Sequence, residues 1–140
     1  MNSDYSLAVH SLTLLSIMPD RMSSSSALAE SASVHPVRIR KVLSMLRQHG
    51  LVETKEGTGG GFILSAEPDQ VTLWEIYQIT SEGSLQPKCS EANKQCLVGA
   101  NMELVLSTIF TDAESHLGAF LQQYSIADMV NQVQQHSHSL

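Results

Sequence analysis

The sequence is short of cysteine, aromatic residues and positive charge, and each shortage excludes something. Two cysteines in 140 residues cannot build a disulfide scaffold, so the fold must rest on apolar packing and the thiols are expected to stay reduced in the cytoplasm. Aromatic residues make up only 5%, which leaves aliphatic side chains to fill a core, and helices suit that supply. Long apolar runs are missing too. The stretch from Leu12 to Met18 is broken by Thr13 and Ser16 and ends at Pro19, well under the roughly 20 residues of a membrane span. No basic segment precedes it, so neither a secretory signal nor a membrane partner is expected. The hydrophobic fraction of 42% nevertheless excludes a wholly disordered chain and suits one compact domain with an appendage.

Acidic residues outnumber basic ones, giving a net charge of −6, which taken alone argues against a polyanionic partner. The distribution reverses that inference. Residues 21–55 carry Arg21, Arg38, Arg40, Lys41, Arg47 and Lys55 against Glu30 and Glu53, a balance of +4. The remaining two lysines face twelve carboxylates, a balance of −10. Contact with a polyanion follows the local field rather than the total.

The basic segment also has a distinctive order of periodicities. Residues 5–18 place Tyr5, Ala8, Val9, Leu12 and Leu15 at helical spacing, and Pro19-Asp20 stops that helix. The serine run 23–26 supplies hydroxyls for the free N–H groups of a following first turn, with Ser23 or Ser24 as N-cap. A flexible linker is the competing reading of that run. After a short turn at 31–34, Pro36 opens a helix whose Ile39, Leu43 and Leu46 form one stripe beside Val42, and Gly50 caps its end. His35, Arg38 and Lys41 recur every third residue on its other side. The period then changes. Residues 51–55 and 62–65 read as strands around the glycine-rich loop 56–61. Helix, helix, helix, hairpin is the order of a winged helix-turn-helix.

Thr72 and Glu75 form an expected capping box for a further helix, and residues 81–99 are irregular and contain Cys89 and Cys96. From Met102 a long apolar stripe runs through Leu106, Ile109, Ala113, Leu117, Phe120 and Tyr124. It exceeds what a small domain needs to cover itself, so it predicts a helix packed against its copy in a homodimer; folding back on its own domain is the alternative. Gly118 within it suggests a close approach. A last short helix covers 126–133, and the tail 135–140, with its two histidines and no third ligand nearby, is expected to be disordered and to hold no metal. The expected organisation is a DNA-binding domain at 1–82, a cysteine-containing loop at 83–99, dimerisation and C-terminal helices at 100–134, and the tail. The class is mainly α with a small β-hairpin.

The glycines at 57, 59, 60 and 61 do not make a phosphate cradle of an enzyme. Phe62 stands where a dinucleotide fingerprint needs its third glycine, and no Gly-Lys-Ser/Thr follows. No acid–base or nucleophile set accompanies them, so no enzyme is expected.

The segment 23–64 resembles the Rrf2 family of bacterial transcription regulators. The matching residues are Leu28-Ala29-Glu30, His35 through Leu43, Leu46 through Val52, and the wing Gly57-Thr58-Gly59-Gly60-Gly61-Phe62. Thr72 through Ile76 and the long helix extend the likeness along nearly the whole chain. The resemblance implies a cytoplasmic homodimer that places residues 36–49 of each copy in the major groove of double-stranded DNA, as a repressor. The candidate contacts are Ser23, Ser24, His35, Arg38, Arg40, Lys41, Thr58 and Gly59. A winged helix used for protein–protein contact is the alternative. Members of the family with iron–sulfur clusters carry three cysteines before the long helix, whereas this chain has Cys89 and Cys96 and no thiolate near Met102, so no cluster or other cofactor is expected. Cys96-Leu97-Val98-Gly99 is similar to the single-cysteine pattern of non-cluster members. Its thiol is open to three readings: inert, responsive to an oxidant, electrophile or other small-molecule effector, or ligating.

Overall fold

The computed structural model describes residues 2–138. Six helices and three short strands follow one another as α1 (Ser3–Ile17), a 3-10 turn (Pro19–Arg21), β1 (Met22–Ser23), α2 (Ser25–Ala32), α3 (Pro36–Gln48), β2 (Val52–Lys55), β3 (Gly61–Leu64), α4 (Leu73–Ser81), α5 (Leu97–Leu121) and α6 (Ile126–His138). No helix among the described residues is long and apolar enough to cross a membrane.

Local chemistry sets most of the boundaries. Ser24 Oγ accepts from Ala27 N–H at 3.1 Å and starts α2. Ser33, left-handed at φ 54°, ends it. Pro36 occupies the first turn of α3, where its missing N–H costs nothing. Gly50, at φ 76°, turns the chain out of α3, and Leu51 N–H returns to Leu46 O at 3.0 Å. Thr72 Oγ1 accepts from Glu75 N–H at 3.1 Å and starts α4. Ser125 and Asp128 form a reciprocal capping box for α6, at 2.8 and 3.1 Å.

The core lies between α1, α2, α3 and the sheet. Leu12 and Leu15 of α1 meet Leu28 of α2 and Ile39, Val42, Leu43 and Leu46 of α3, all fully buried. Truncating one such leucine to alanine would cost about 2–5 kcal/mol in lost transfer energy and cavity. The chain then comes back to this body. Ile126 N–H bonds Val71 O and Leu73 N–H bonds Tyr124 O, both at 2.9 Å, which clips the start of α6 beside α4 and lets α6 pack on α1.

Four features depart from the sequence expectations. The hairpin of β2 and β3 carries a third strand, for β1 pairs with β3 in the order β1-β3-β2; two residues are too few to show a period. Helix α5 begins at Leu97, so the predicted loop ends at Cys96 rather than at residue 99. The tail expected to be disordered from residue 135 is helical as far as His138, because α6 continues without a break; Ser139 and Leu140 lie outside the described residues. The stripe predicted on α5 is divided. Leu106, Ala113 and Leu117 are half-buried on the inner side, whereas Met102, Ile109 and Phe120 are exposed.

Candidate nucleic-acid interface

Helix α3 buries Ile39, Val42, Leu43 and Leu46, so geometry at 100° per residue fixes what points the other way. Val37, Lys41, Ser44 and Gln48 lie directly opposite that stripe and are exposed. Arg40 and Arg47 lie on one flank and Arg38 on the other, where it faces the start of α1. The chemistry exposed here is mixed: cations of the kind that suit phosphates and guanine edges, hydroxyl and amide groups of the kind that suit bases, and Val37, 56% exposed, an apolar group of the kind that suits a thymine methyl.

The flanks are not equivalent. Arg38 Nη2 lies 4.0 Å from Asp4 Oδ1 and also donates to Ser3 Oγ, while Lys41 Nζ lies 3.5 Å from Asp4 Oδ2. Arg21 pairs with Glu67 at 3.4 Å. Among the described residues no ion pair holds Arg40, Arg47 or Lys55. His35 is the N-cap of α3, its Nδ1 accepting from Val37 N–H at 3.1 Å. With Nδ1 accepting, Nε2 of the neutral ring carries the proton and is left to donate from this exposed residue.

The wing follows α3 directly, its first strand β2 packed against that helix. Gly57 and Gly59 have φ of 91° and 76°, a left-handed region costly to other residues. A Cβ on Gly60 would fall 2.1 Å from Lys55 O, a backbone atom that cannot step aside. Thr58 and Gly59 are exposed at the tip. Ser24, the N-cap of α2, is exposed as well.

Of the residues singled out from sequence, Ser23 does not belong to this surface. It pairs with Phe62 inside the sheet, is 7% exposed, and its hydroxyl donates to Ser24 O at 3.3 Å. Val37, Ser44 and Gln48 were missed. Spacing counted from the charged residues selects His35, Arg38 and Lys41, but a wheel centred on the buried stripe would have selected the missed three.

Away from this face, both cysteines are free and exposed. Cys96 is the N-cap residue of α5, where the nearby backbone N–H groups of Gly99 and Val98 hold the thiol below its ordinary pKa. At the far end of α5, Glu114 accepts from Tyr77 Oη at 2.8 Å and from Gly83 N–H at 3.0 Å, tying α5 to α4. Burial, opposed by the Ser84 hydroxyl and reinforced by Glu114, raises the Tyr77 phenol above its usual value.

A family model described as "Rrf2: Iron-dependent Transcriptional regulator" matches residues 1–132. The chain belongs to the Rrf2 family. It is 30% identical over 128 residues to the HTH-type transcriptional regulator NsrR of Bacillus subtilis, covering 91% of this chain and 86% of that protein. To the HTH-type transcriptional regulator IscR of Aliivibrio salmonicida it is 27% identical, covering 77% and 64%. A crystal structure from Lactobacillus plantarum superposes with a TM-score of 0.79 at 28% identity, covering 99% of both chains. At 21% identity, IscR of T. potens shares the fold with a TM-score of 0.68, covering 95% of this chain and 87% of that one. The winged-helix architecture with a long following helix is thus that of the Rrf2 regulators.

The family description implies iron, and this Rrf2 chain's own donors can be tested against it. Fe–S clusters are held chiefly by thiolates, and the sequence has two. Among the described residues no group of three or more His, Cys, Asp or Glu side chains converges. One chain thus supplies two of the thiolates that such a cluster takes.

Proposed function

We propose that this Rrf2 protein is a homodimeric, sequence-specific DNA-binding repressor of the bacterial cytoplasm. The observation that carries the reading is the shared exposure of the outer face of α3 and the wing tip, in the one segment of an acidic chain that is net positive. Val37, Arg40, Lys41, Ser44 and Gln48 enter the major groove, and Thr58 and Gly59 follow the adjacent backbone. Ser24, His35, Arg38 and Arg47 contribute from the margins.

The dimer is supported by α5. Val98, Met102, Val105 and Ile109 step by 4, 3 and 4 along one exposed side, and Leu97 and Leu104 extend it. With Phe120 these seven apolar side chains, each 43–82% exposed, form the kind of apolar surface that a second copy would cover. An isologous pairing would present two copies of α3 to two half-sites of a palindrome. Cys96, at the start of α5, is where an oxidant or electrophile would act on the dimer.

Selection of duplexes from a random pool by the full chain, followed by gel shift, tests the reading. Enrichment of a palindrome with half-sites about one helical turn apart is expected. Failure to enrich any sequence, with no shift of any duplex at low salt, would overturn it.

A further inference from the structure

Arg38 and Lys41 are two of the six cations in the basic segment, and one carboxylate holds both. Asp4 Oδ1 lies 4.0 Å from Arg38 Nη2, and Asp4 Oδ2 lies 3.5 Å from Lys41 Nζ. Arg38 also donates to the neighbouring Ser3 hydroxyl. Asp4 itself is well covered, its side chain 18% exposed, while its partners are 46% and 70% exposed.

The carboxylate has little freedom to leave. It belongs to the first turn of α1, where the helix dipole favours an anion. That turn is pinned to α4. Asn2 Oδ1 accepts from Tyr5 N–H at 3.2 Å, and Asn2 Nδ2 donates to Thr80 O at 3.0 Å. Ser81 Oγ reaches Asn2 Oδ1 at 3.5 Å, and the Tyr5 ring meets Tyr77 edge-on at 6.3 Å. Ion pairs this exposed contribute little to folding. Their weight falls on whatever approaches α3, because a phosphate near Arg38 or Lys41 also meets the negative charge behind them.

We propose that Asp4 is a specificity-determining residue of the DNA interface. It withholds two cations from sequence-independent phosphate binding and keeps them beside the outer face of α3, where a fitting site can still engage their remaining donors. The proposal rests on the DNA-binding reading. Attraction to phosphates is the same on every duplex, so damping it lowers non-specific affinity and leaves the base contacts of Ser44, Gln48 and Arg40 to set the preference.

The test measures binding of the full chain to the selected palindrome and to a scrambled duplex across a range of salt. With Asp4→Asn, affinity for the scrambled duplex should rise on the order of fivefold, the worth of a unit charge a few ångströms away in water. Its log–log salt dependence should steepen by about one unit. The preference for the palindrome should shrink accordingly. Asp4→Glu, which keeps the charge, should retain the wild-type slope, and Arg38→Ala combined with Asp4→Asn should cancel part of the steepening. Asp4→Ser replaces the Asn variant should thermal unfolding show that the latter has lost its fold. Unchanged scrambled-duplex affinity and slope in the Asn variant, with the wild type still preferring the palindrome, would overturn the role of Asp4 alone. A wild type that binds no duplex would remove both this proposal and the function on which it rests.

Discussion

Arg40 stands on the flank of α3 that Asp4 does not reach, so its charge is fully available to DNA while its removal costs the fold little. Arg40→Ala should flatten the log–log salt dependence of binding by about one unit and leave the unfolding midpoint nearly unchanged. Fluorescence anisotropy titrations at several salt concentrations read the first quantity and thermal denaturation the second. At the same scale, the two thiols should differ in reactivity. Backbone N–H groups stabilise the Cys96 thiolate and lower its pKa, so the reactive form persists at pH values where an ordinary thiol is protonated. Iodoacetamide near neutral pH should therefore label Cys96 faster than Cys89, as mass spectrometry would show. Single residues were legible in the sequence where their role is local. Ser24, Pro36, Gly50 and Thr72 act within one turn of themselves, and their types announced it. Ser23 misled because its neighbour in the sheet, Phe62, is 39 positions away in the chain.

Elements were legible to the extent that their period was long enough to count. Helix α3 shows its buried stripe over four residues, and the wing shows its glycines. Strand β1 has two residues and no period, so only pairing with β3 reveals it. The orientation of α5 was hidden for another reason: its residues are apolar on more than one side, and contacts from elsewhere decide which side faces in. Trp74 of α4 is one of them. A Cβ on Gly118 would lie 2.8 Å from Trp74 Cε2 and 2.9 Å from Cζ2, so the helix sits directly on the indole. The indole is itself stacked on Tyr77, with ring centroids 5.1 Å apart, so displacing it would disturb that stacking. Gly118→Ala gains about 1 kcal/mol of helix propensity but incurs about 1–3 kcal/mol of overpacking. Net destabilisation, a lower denaturant midpoint and altered tryptophan fluorescence are expected; a stabilised variant with unchanged fluorescence would argue against this contact.

At the scale of the whole molecule, the divided burial of α5 separates two tasks. Its second half, through Leu117, Gly118 and Leu121, packs on the winged helix, and its first half carries most of the exposed apolar side, which Phe120 continues. Replacing Val105 and Ile109 together by glutamate should turn a dimer into a monomer in sedimentation velocity while the helical circular dichroism persists. Duplex affinity should fall steeply, because one half-site then supplies all the binding energy. The sequence shows the apolar length that makes such a helix suspect, but the choice of exposed residues follows from how the rest of the chain packs.

Which surface meets the duplex can be measured directly. A photo-cross-linking amino acid placed in turn at Ser44, Thr58 and His116, in the presence of the selected duplex, should join DNA from the first two positions and not from the third, which is exposed on α5. Cross-links from position 116 with none from 44 or 58 would contradict the assignment of α3 and the wing as the DNA-reading face.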